Sequence, residues 1–220
     1  GIEGIGIEGM DGCGKGTQVK MLADALARDT RRPVKVYAFP DRSTVSGKLI
    51  ARLLAGHIEM SRRTSEWDRR DEEASAVALQ CAMIVNRLEV VTNILADKMS
   101  GAVMIFDRYT DSGIVYGAAD GIDSAWLVRA QAQLPQLDLH ILLDVDVETS
   151  FARRPERQEM YEANRDRMRR VCDGYRAWWQ LNQQRDAGNW RIVDGRGSAD
   201  QVHASIMHEV REYHSPTWPW

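Results

Sequence analysis

The sequence predicts an α/β fold in which a five-stranded parallel sheet carries helices on both faces. Strand-like and helix-like segments alternate along the 220 residues, which is typical of strands joined by helical crossovers. The segment Ala102–Phe106 is apolar throughout, as expected of a strand buried on both faces. A glycine-rich turn after the first strand leads into a helix, so we expect ligands at the carboxyl ends of the strands.

Each predicted element follows from apolar periodicity and from breakers such as Pro33 and Pro135. In the first helix, for example, Val19, Leu22 and Leu26 fall on one face. The predicted strands are Ile2–Ile7, Val34–Ala38, Ala102–Phe106, Leu137–Val145 and Trp190–Val193. The predicted helices are Lys15–Arg28, Ser46–Leu54, Glu72–Lys98, Asp123–Leu134, Glu148–Arg153, Asn164–Arg185 and Ala199–Tyr213.

Length and composition predict a single domain over residues 1–214, followed by a short tail at 215–220. The net charge of −3 offers no basic excess for a nucleic acid polymer, so mononucleotide ligands are expected. We find no apolar run that approaches a membrane span. Three cysteines without metal-ligand spacing favour a reducing, cytoplasmic setting.

The turn after the first strand has the pattern of a phosphate-binding loop. Its glycines allow positive φ and close approach to phosphate oxygens, its lysine can reach the β and γ phosphates, and its threonine can meet Mg²⁺. The candidate ligand-binding residues are Gly9, Gly12, Cys13, Gly14, Lys15, Gly16 and Thr17. The alternative is a glycine-rich turn that binds nothing. The usual Ser or Thr directly after the lysine is replaced by Gly16, and a Gly-Lys-Gly-Thr-Gln run is familiar from nucleoside monophosphate kinases.

Three further clusters complete a recognisable set. Phe39-Pro40-Asp41-Arg42-Ser43-Thr44 follows the second strand, Asp107-Arg108-Tyr109 follows the third, and Asn86-Arg87 lies on the long helix. Together with the loop and a late Trp-x-x-Val-Asp, this set resembles thymidylate kinases over nearly the whole chain. The resemblance implies a P-loop kinase fold with a small lid at about residues 153–165. It also implies ATP as donor, Mg²⁺, dTMP as acceptor and a homodimer.

The resemblance assigns roles around the transferred group. Lys15 would polarise the phosphoryl group, and Asp11 would hold the sugar 3′-hydroxyl. Arg42 and Arg108 would grip the acceptor phosphate, which suits two planar guanidinium groups. Asp107 would hold Mg²⁺ through water or orient Arg108.

The base and sugar pocket shows one departure from the family. Arg87 matches the arginine that contacts the thymine edge, Phe39 lines the same pocket, and Tyr116 lies against the sugar and disfavours a 2′-hydroxyl. Met83 stands where the family carries a base-stacking phenylalanine, and methionine offers no flat face. A different or 5-modified deoxypyrimidine monophosphate therefore stays an alternative acceptor, and so does a core role for Met83.

The resemblance places the lid arginines on the donor side. Arg153 matches the arginine that packs on the adenine, and Arg154, Arg157 and Arg165 are candidates for the catalytic charge, because Gly12 stands where some members carry an arginine. A positioned arginine stabilises the charge of phosphoryl transfer. A kinase for another nucleotide and a non-catalytic P-loop nucleotide-binding protein are the competing hypotheses.

Overall fold

The computed structural model describes residues 2–55, 69–153, 165–186 and 188–213, and in 69–72 it describes the backbone alone. Its centre is a five-stranded parallel sheet in the order β2-β3-β1-β4-β5. The strands are β1 (Gly4–Glu8), β2 (Val34–Ala38), β3 (Val103–Asp107), β4 (Leu139–Asp144) and β5 (Trp190–Asp194). Because β1 is the middle strand, the loop that follows it opens at the centre of the carboxyl edge.

Helices pack around this sheet, as predicted. The helices are α1 (Lys15–Asp29), α2 (Val45–Leu54), α3 (Arg69–Glu89), α4 (Val91–Met99), α5 (Thr110–Ala119), α6 (Ser124–Ala130), α7 (Val147–Arg153), α8 (Arg165–Arg185) and α9 (Ala199–Tyr213). Helix α1 packs against α9, and α5 packs against both α6 and α8. β1, β3 and β4 are almost fully buried, whereas the edge strands β2 and β5 are largely exposed, which explains why the central strands are mainly apolar.

The predicted helix Glu72–Lys98 is wrong as a single element. The chain forms α3 and α4, which are separated at Val90, where φ is −111° and ψ is 3°. The break lets the two helices face different partners. Leu79 of α3 packs in the cluster around α2, while Ile94 of α4 packs in the cluster that includes Phe106 of β3. Apolar periodicity alone does not reveal such a change of direction.

Helix α5 was absent from the sequence prediction, because Gly113 and Gly117 lower its helix propensity. Close packing explains both glycines. A Cβ on Gly117 would lie 2.8 Å from both methyl groups of Leu127 in α6. Helix α6 is shorter than predicted, and it begins where Asp123 accepts a hydrogen bond from the backbone N–H of Trp126 at 2.6 Å. Tertiary contacts therefore override local propensity here.

One stretch of the described residues reaches the length and average composition of a membrane span, although it is not an uninterrupted apolar run. By length and composition, Glu73–Met99 is apolar enough to cross a membrane, because an 18-residue window within it has a mean hydropathy of 1.4. This span comprises most of α3 and all of α4, and Asn86 and Arg87 within it are buried. It is weak evidence for a membrane span, because core helices of globular proteins pass the same test.

Candidate active site

The loop between β1 and α1 has the backbone of an anion-binding turn. Gly9, Gly12 and Gly14 take φ values of 146°, 80° and 98°, in the region that favours glycine. A Cβ on Gly9 would lie 2.8 Å from both Sγ of Cys13 and the carbonyl oxygen of Leu143. Gly14 is the N-cap of α1 and makes no side-chain cap. The first N–H groups of α1 are thus presented to a ligand as they are at helix N-termini that bind phosphate.

Lys15 folds back beneath this loop. Its Nζ donates to the carbonyl oxygens of Gly9 at 2.9 Å and Met10 at 2.8 Å, and the residue is buried. Gly16 and Thr17 are exposed in the first turn of α1, and a Cβ on Gly16 would meet no atom within 4 Å. A buried ammonium beside backbone donors and open space fits a polyphosphate.

Arg108 joins the loop to the end of β3. Its φ of 63° is left-handed, a conformation that costs a non-glycine residue free energy and is found at functional sites. Its guanidinium forms an ion pair with Asp11 and donates from Nη1 to the carbonyl of Gly9 at 3.1 Å. Burial lowers the pKa of Arg108, but Asp11 raises it, and the net pKa lies well above its ordinary value. The arginine therefore stays charged beside the phosphate loop.

Tyr116 of α5 contacts the same carboxylate. Its hydroxyl donates to Oδ2 of Asp11 at 2.9 Å, and the guanidinium carbon of Arg108 lies 5.2 Å from its ring centroid. Burial is the main cause that raises the pKa of Tyr116, and Asp11 raises it further. The structure thus brings together the three predicted residues Asp11, Arg108 and Tyr116.

Asp107 precedes Arg108 at the carboxyl end of β3, where it pairs in register with Ile7 and Ala38. Among the described residues, no side chain or backbone N–H bonds its carboxylate. The described part of the chain also holds no group of three or more His, Cys, Asp or Glu that could cage a metal. The Asp107 carboxylate and the Thr17 hydroxyl fit a Mg²⁺ ion whose other ligands are water molecules and the phosphate oxygens of a bound nucleotide.

The predicted base pocket lies between α3 and the start of α5. Arg87 is 3% exposed, and its Nη2 donates to the carbonyl of Tyr109 at 2.7 Å. Burial lowers the pKa of Arg87 to about 10. Phe39 is buried with its ring centroid 5.5 Å from that of Tyr109. Met83, one helical turn before Arg87, is half-buried and packs against the cluster that includes Ile50.

The loop that carries Arg42 is fixed by Asn86, a fully buried residue of α3. The Asn86 amide accepts from the backbone N–H of Asp41 at 2.7 Å and donates to Oγ1 of Thr44 at 2.8 Å. A Cβ on Gly47 would lie 1.7 Å from the carbonyl oxygen of Asp41, so the loop lies directly on α2. Arg42 itself is exposed. Sequence reasoning noted Asn86 only as part of a motif and missed this positioning role.

A comparison with family models decides the family, because the thymidylate kinase model matches residues 7–206. The chain belongs to the thymidylate kinase family. Thymidylate kinase from Schizosaccharomyces pombe is 28% identical over 206 residues, which cover 94% of this chain and 90% of that protein. Human thymidylate kinase is 30% identical over 203 residues, which cover 92% of this chain and 86% of the human protein.

Solved structures agree with this thymidylate kinase assignment. A structure of thymidylate kinase from Candida albicans superposes with a TM-score of 0.79 at 28% identity, covering 97% of this chain and 93% of that chain. That enzyme is described as having broad substrate specificity. The fold is accordingly a P-loop kinase fold, and this family member is an enzyme, a phosphotransferase that acts on nucleotides.

The donor end of this kinase is partly described. Arg153, the last residue of α7, donates to the carbonyl oxygens of Cys13 at 3.3 Å and Arg196 at 3.2 Å, so it bridges the phosphate loop and the loop after β5. The side chain of Cys13 is buried, and its Sγ lies 3.5 Å from Nζ of Lys15. Cys13 therefore packs inside the phosphate loop. Most of the predicted lid, with Arg154 and Arg157, lies outside the described residues, as does the tail.

Glu8 is a residue that sequence reasoning missed. It is completely buried at the end of β1 and accepts from the backbone N–H of Tyr109 at 2.6 Å, from the hydroxyl of Tyr175 at 3.1 Å and from Ser112. Burial raises the pKa of Glu8, and nearby Asp111 raises it further. Its acidic side chain at the end of an apolar strand was the available signal. Glu8 orders the segment that carries Arg108.

Arg167 is the second missed residue, since sequence reasoning assigned it no role. It is 6% exposed, and it bonds Asp120 through Nε at 2.6 Å and Nη2 at 2.7 Å. Its guanidinium carbon lies 5.3 Å from the ring centroid of Tyr116. By contrast, Arg169 and Arg170 are exposed. Arg167 thus supports the wall of the predicted acceptor site.

Proposed function

We propose that this kinase transfers the γ-phosphoryl group of ATP to dTMP, giving ADP and dTDP. The Asp11–Arg108 ion pair carries the proposal, because it joins the phosphate loop to the strand end that follows β3. Donor and acceptor phosphates bound on its two sides would be adjacent. Phosphoryl transfer requires positioning and charge stabilisation more than covalent chemistry from the protein.

On the donor side, backbone N–H groups of the loop would hold the ATP phosphates. Lys15 would exchange its contacts with the carbonyls of Gly9 and Met10 for β- and γ-phosphate oxygens. Thr17 and Asp107 would hold Mg²⁺, which supplies charge neutralisation at the phosphates when bound. Arg153 would pack on the adenine.

On the acceptor side, Arg42 and Arg108 would bind the phosphate of dTMP. Two guanidinium groups provide paired donors and offset the repulsion between two anionic nucleotides as they approach. Asn86 keeps the Arg42 loop in place through its hydrogen bonds to Asp41 and Thr44 of that loop. Arg108 is kept in place by Asp11.

The nucleoside would lie between α3 and α5. Asp11 would bind the sugar 3′-hydroxyl, and Tyr116 would exclude a 2′-hydroxyl. Arg87 would donate to the thymine edge, with Phe39 and Met83 along the base. The support for this is the burial of Arg87 next to Tyr109 and the shared face of Met83 and Arg87 on α3.

The charge that develops on the transferring phosphoryl group needs a cation that the loop does not provide, because Gly12 follows Asp11. We assign this role to Arg154 or Arg157 of the lid. Closure of the lid would also exclude water and so limit ATP hydrolysis.

Met83 supports a second candidate acceptor, a different or 5-modified deoxypyrimidine monophosphate. Half-buried methionine is flexible and leaves more room than a phenylalanine ring. If Met83 lines the base, Met83→Phe changes the ranking of 5-substituted acceptors. An unchanged ranking places Met83 in the helix core only.

The test is coupled ADP release with dTMP, dUMP, a 5-substituted dUMP, dCMP and AMP as acceptors. The proposal expects turnover with dTMP far above AMP. Preferred turnover of a 5-substituted dUMP would favour the second candidate. ATP binding without turnover of any acceptor would instead indicate a non-catalytic nucleotide-binding protein.

We further propose a homodimer in the cytoplasm, with no nucleic acid polymer or membrane as partner. Support for the dimer comes from an exposed stripe on α3 formed by Cys81, Val85 and Leu88, spaced so that they share one helix face. Exposed apolar faces of this kind mark interaction surfaces. Val85→Lys should shift the mass measured by light scattering to a monomer, whereas the exposed control Val128→Lys on α6 should not.

A further inference from the structure

Gln131, at the end of α6, presents a buried acceptor with a fixed orientation. The residue is 3% exposed. Its Nε2 donates to the carbonyl oxygens of Thr110 at 3.2 Å and Leu127 at 3.3 Å. Since carbonyl oxygens only accept, the amide nitrogen must face them, and this settles which way the amide points. Oε1 then faces away from both, and among the described residues it has no hydrogen-bond partner.

The free donors of Arg87 lie at the same place. In the described part of the chain, its Nε and Nη1 have no hydrogen-bond partner, although the side chain is buried. A Cβ on Gly113 would lie 2.8 Å from Oε1 of Gln131 and 3.2 Å from Nη1 of Arg87. A buried acceptor and a buried donor therefore lie next to each other against the backbone of Gly113, where a side chain on that residue would clash with both.

Unsatisfied buried polar groups are rare, because each costs about 1–3 kcal/mol. The donor Nη1 of Arg87 and the acceptor Oε1 of Gln131 suit a ligand that presents an acceptor and a donor next to each other on one edge. The imide edge of thymine or uracil has this pattern, with O4 as acceptor and N3–H as donor. Cytosine has the reverse pattern, with an amino donor at position 4 and N3 as acceptor.

We propose that Gln131 is a specificity-determining residue that accepts a hydrogen bond from N3–H of the pyrimidine while Arg87 donates to O4. This rests on the proposed function and adds the acceptor half of base recognition. It selects bases with an N3–H and is indifferent to the substituent at position 5. Cytosine would place donor against donor at Arg87 and acceptor against acceptor at Gln131, which a buried site rejects strongly.

The test compares kcat/KM for dTMP, dCMP and N3-methyl-dTMP in the wild-type chain and in Gln131→Met, which keeps the volume and removes the acceptor. Wild type should prefer dTMP over both analogues by about a thousandfold or more. Gln131→Met should lower each preference by at least about tenfold, mainly through loss of dTMP turnover. The matched control Gln133→Met changes an exposed residue of the same segment and should leave all ratios unchanged.

A structural role for Gln131 would lower turnover of every acceptor equally, and unchanged ratios in Gln131→Met would overturn the inference. If Gln131→Met fails to fold, Gln131→Glu is tested in its place, because glutamate retains an acceptor at this position. Gln131→Glu should keep the preference for dTMP over N3-methyl-dTMP, and loss of that preference would also overturn the inference. No turnover of dTMP by the wild-type chain would defeat the proposed function instead, so the two failures are distinguishable.

Discussion

The Tyr116 hydroxyl donates a 2.9 Å hydrogen bond to Oδ2 of Asp11, and this contact ties α5 to the phosphate loop. The same carboxylate pairs with Arg108 at the end of β3. One loop residue thus fixes two residues that we place around the acceptor nucleotide. The donor loop and the acceptor site are therefore one connected structure.

Removal of that hydroxyl should weaken catalysis without removing sugar selectivity. Tyr116→Phe loses a hydrogen bond to a charged group, and we expect kcat/KM for dTMP to fall about tenfold to a hundredfold. The ring stays, so the preference for dTMP over its ribonucleotide should persist. Steady-state kinetics with both acceptors checks this. Tyr37→Phe is the matched control, because Tyr37 lies on the edge strand β2 and its hydroxyl donates to Asp97 of α4 at 2.6 Å. Equal losses of kcat/KM in both variants would contradict the role assigned to Tyr116.

Much of the fold could be predicted because the central strands are mainly apolar and the breakers are clear. The segment Val34–Ala38 was predicted to the residue. The break at Val90 and the helix α5 could not be predicted, since both depend on tertiary contacts. Gly113 and Gly117 read as helix breakers in sequence, yet they are needed for close packing against α6.

The site shows the same division. The phosphate loop could be predicted from residue type and spacing, whereas the roles of Arg108 and Arg87 were implied by the resemblance of their motifs to those of thymidylate kinases. Glu8 and Gln131 were not found, because their importance depends on burial and on partners distant in sequence, 101 residues away for Glu8 and Tyr109 and 21 residues away for Gln131 and Thr110. Arg167 was likewise assigned no role, since its pairing with Asp120 joins residues 47 positions apart in sequence.

A methyl group at Gly113 should disturb base recognition. In Gly113→Ala the Cβ would lie 2.8 Å from Oε1 of Gln131 and 3.2 Å from Nη1 of Arg87, so we expect destabilisation of about 1–3 kcal/mol and a lower preference for dTMP over dCMP. Gly117→Ala is the matched control, because the atoms nearest to its Cβ would be the methyl groups of Leu127 and the stem of Gln80. Denaturant unfolding should show a loss in both variants, whereas a change of selectivity in Gly117→Ala would count against the assignment.

The buried pair of His140 and Asp111 should make stability depend on pH. The two side chains are 2.7 Å apart. Burial lowers the pKa of His140, but Asp111 raises it, and the net pKa is raised. The charged pair should contribute its full stabilisation at pH values below about 6.5, the pKa of a histidine in the unfolded chain. This contribution should be lost as the pH rises through the higher pKa that His140 has in the folded chain.

Urea unfolding across that pH range tests this in His140→Phe, which can keep the stacking on Trp190 at 4.0 Å. The variant should be less stable than wild type at low pH, and the difference should shrink as pH rises. A difference that stays constant with pH would show that the histidine is neutral in the folded chain.

Breaking the buried pair of Arg167 and Asp120 should cost stability and loosen the acceptor site. Arg167→Met leaves Asp120 without its bidentate partner, and we expect a loss of about 3–5 kcal/mol together with a higher KM for dTMP. Replacing both residues, as Arg167→Met with Asp120→Leu, should recover most of the stability but not the KM, because the cation over Tyr116 is still missing. Recovery of both would assign Arg167 a structural role alone.

The central claim is that the Lys15 loop and the Arg108 strand end form one site that moves a phosphoryl group from ATP to dTMP. The most direct measurement follows the label from ATP labelled at the γ-phosphate in the presence of dTMP and Mg²⁺. We predict label in dTDP, with its formation reduced about a hundredfold or more in Lys15→Met and in Arg108→Met, and unchanged in the control Arg176→Met, whose partner Asp144 lies outside the proposed site. Label found only in inorganic phosphate, or undiminished dTDP in either site variant, would contradict the account.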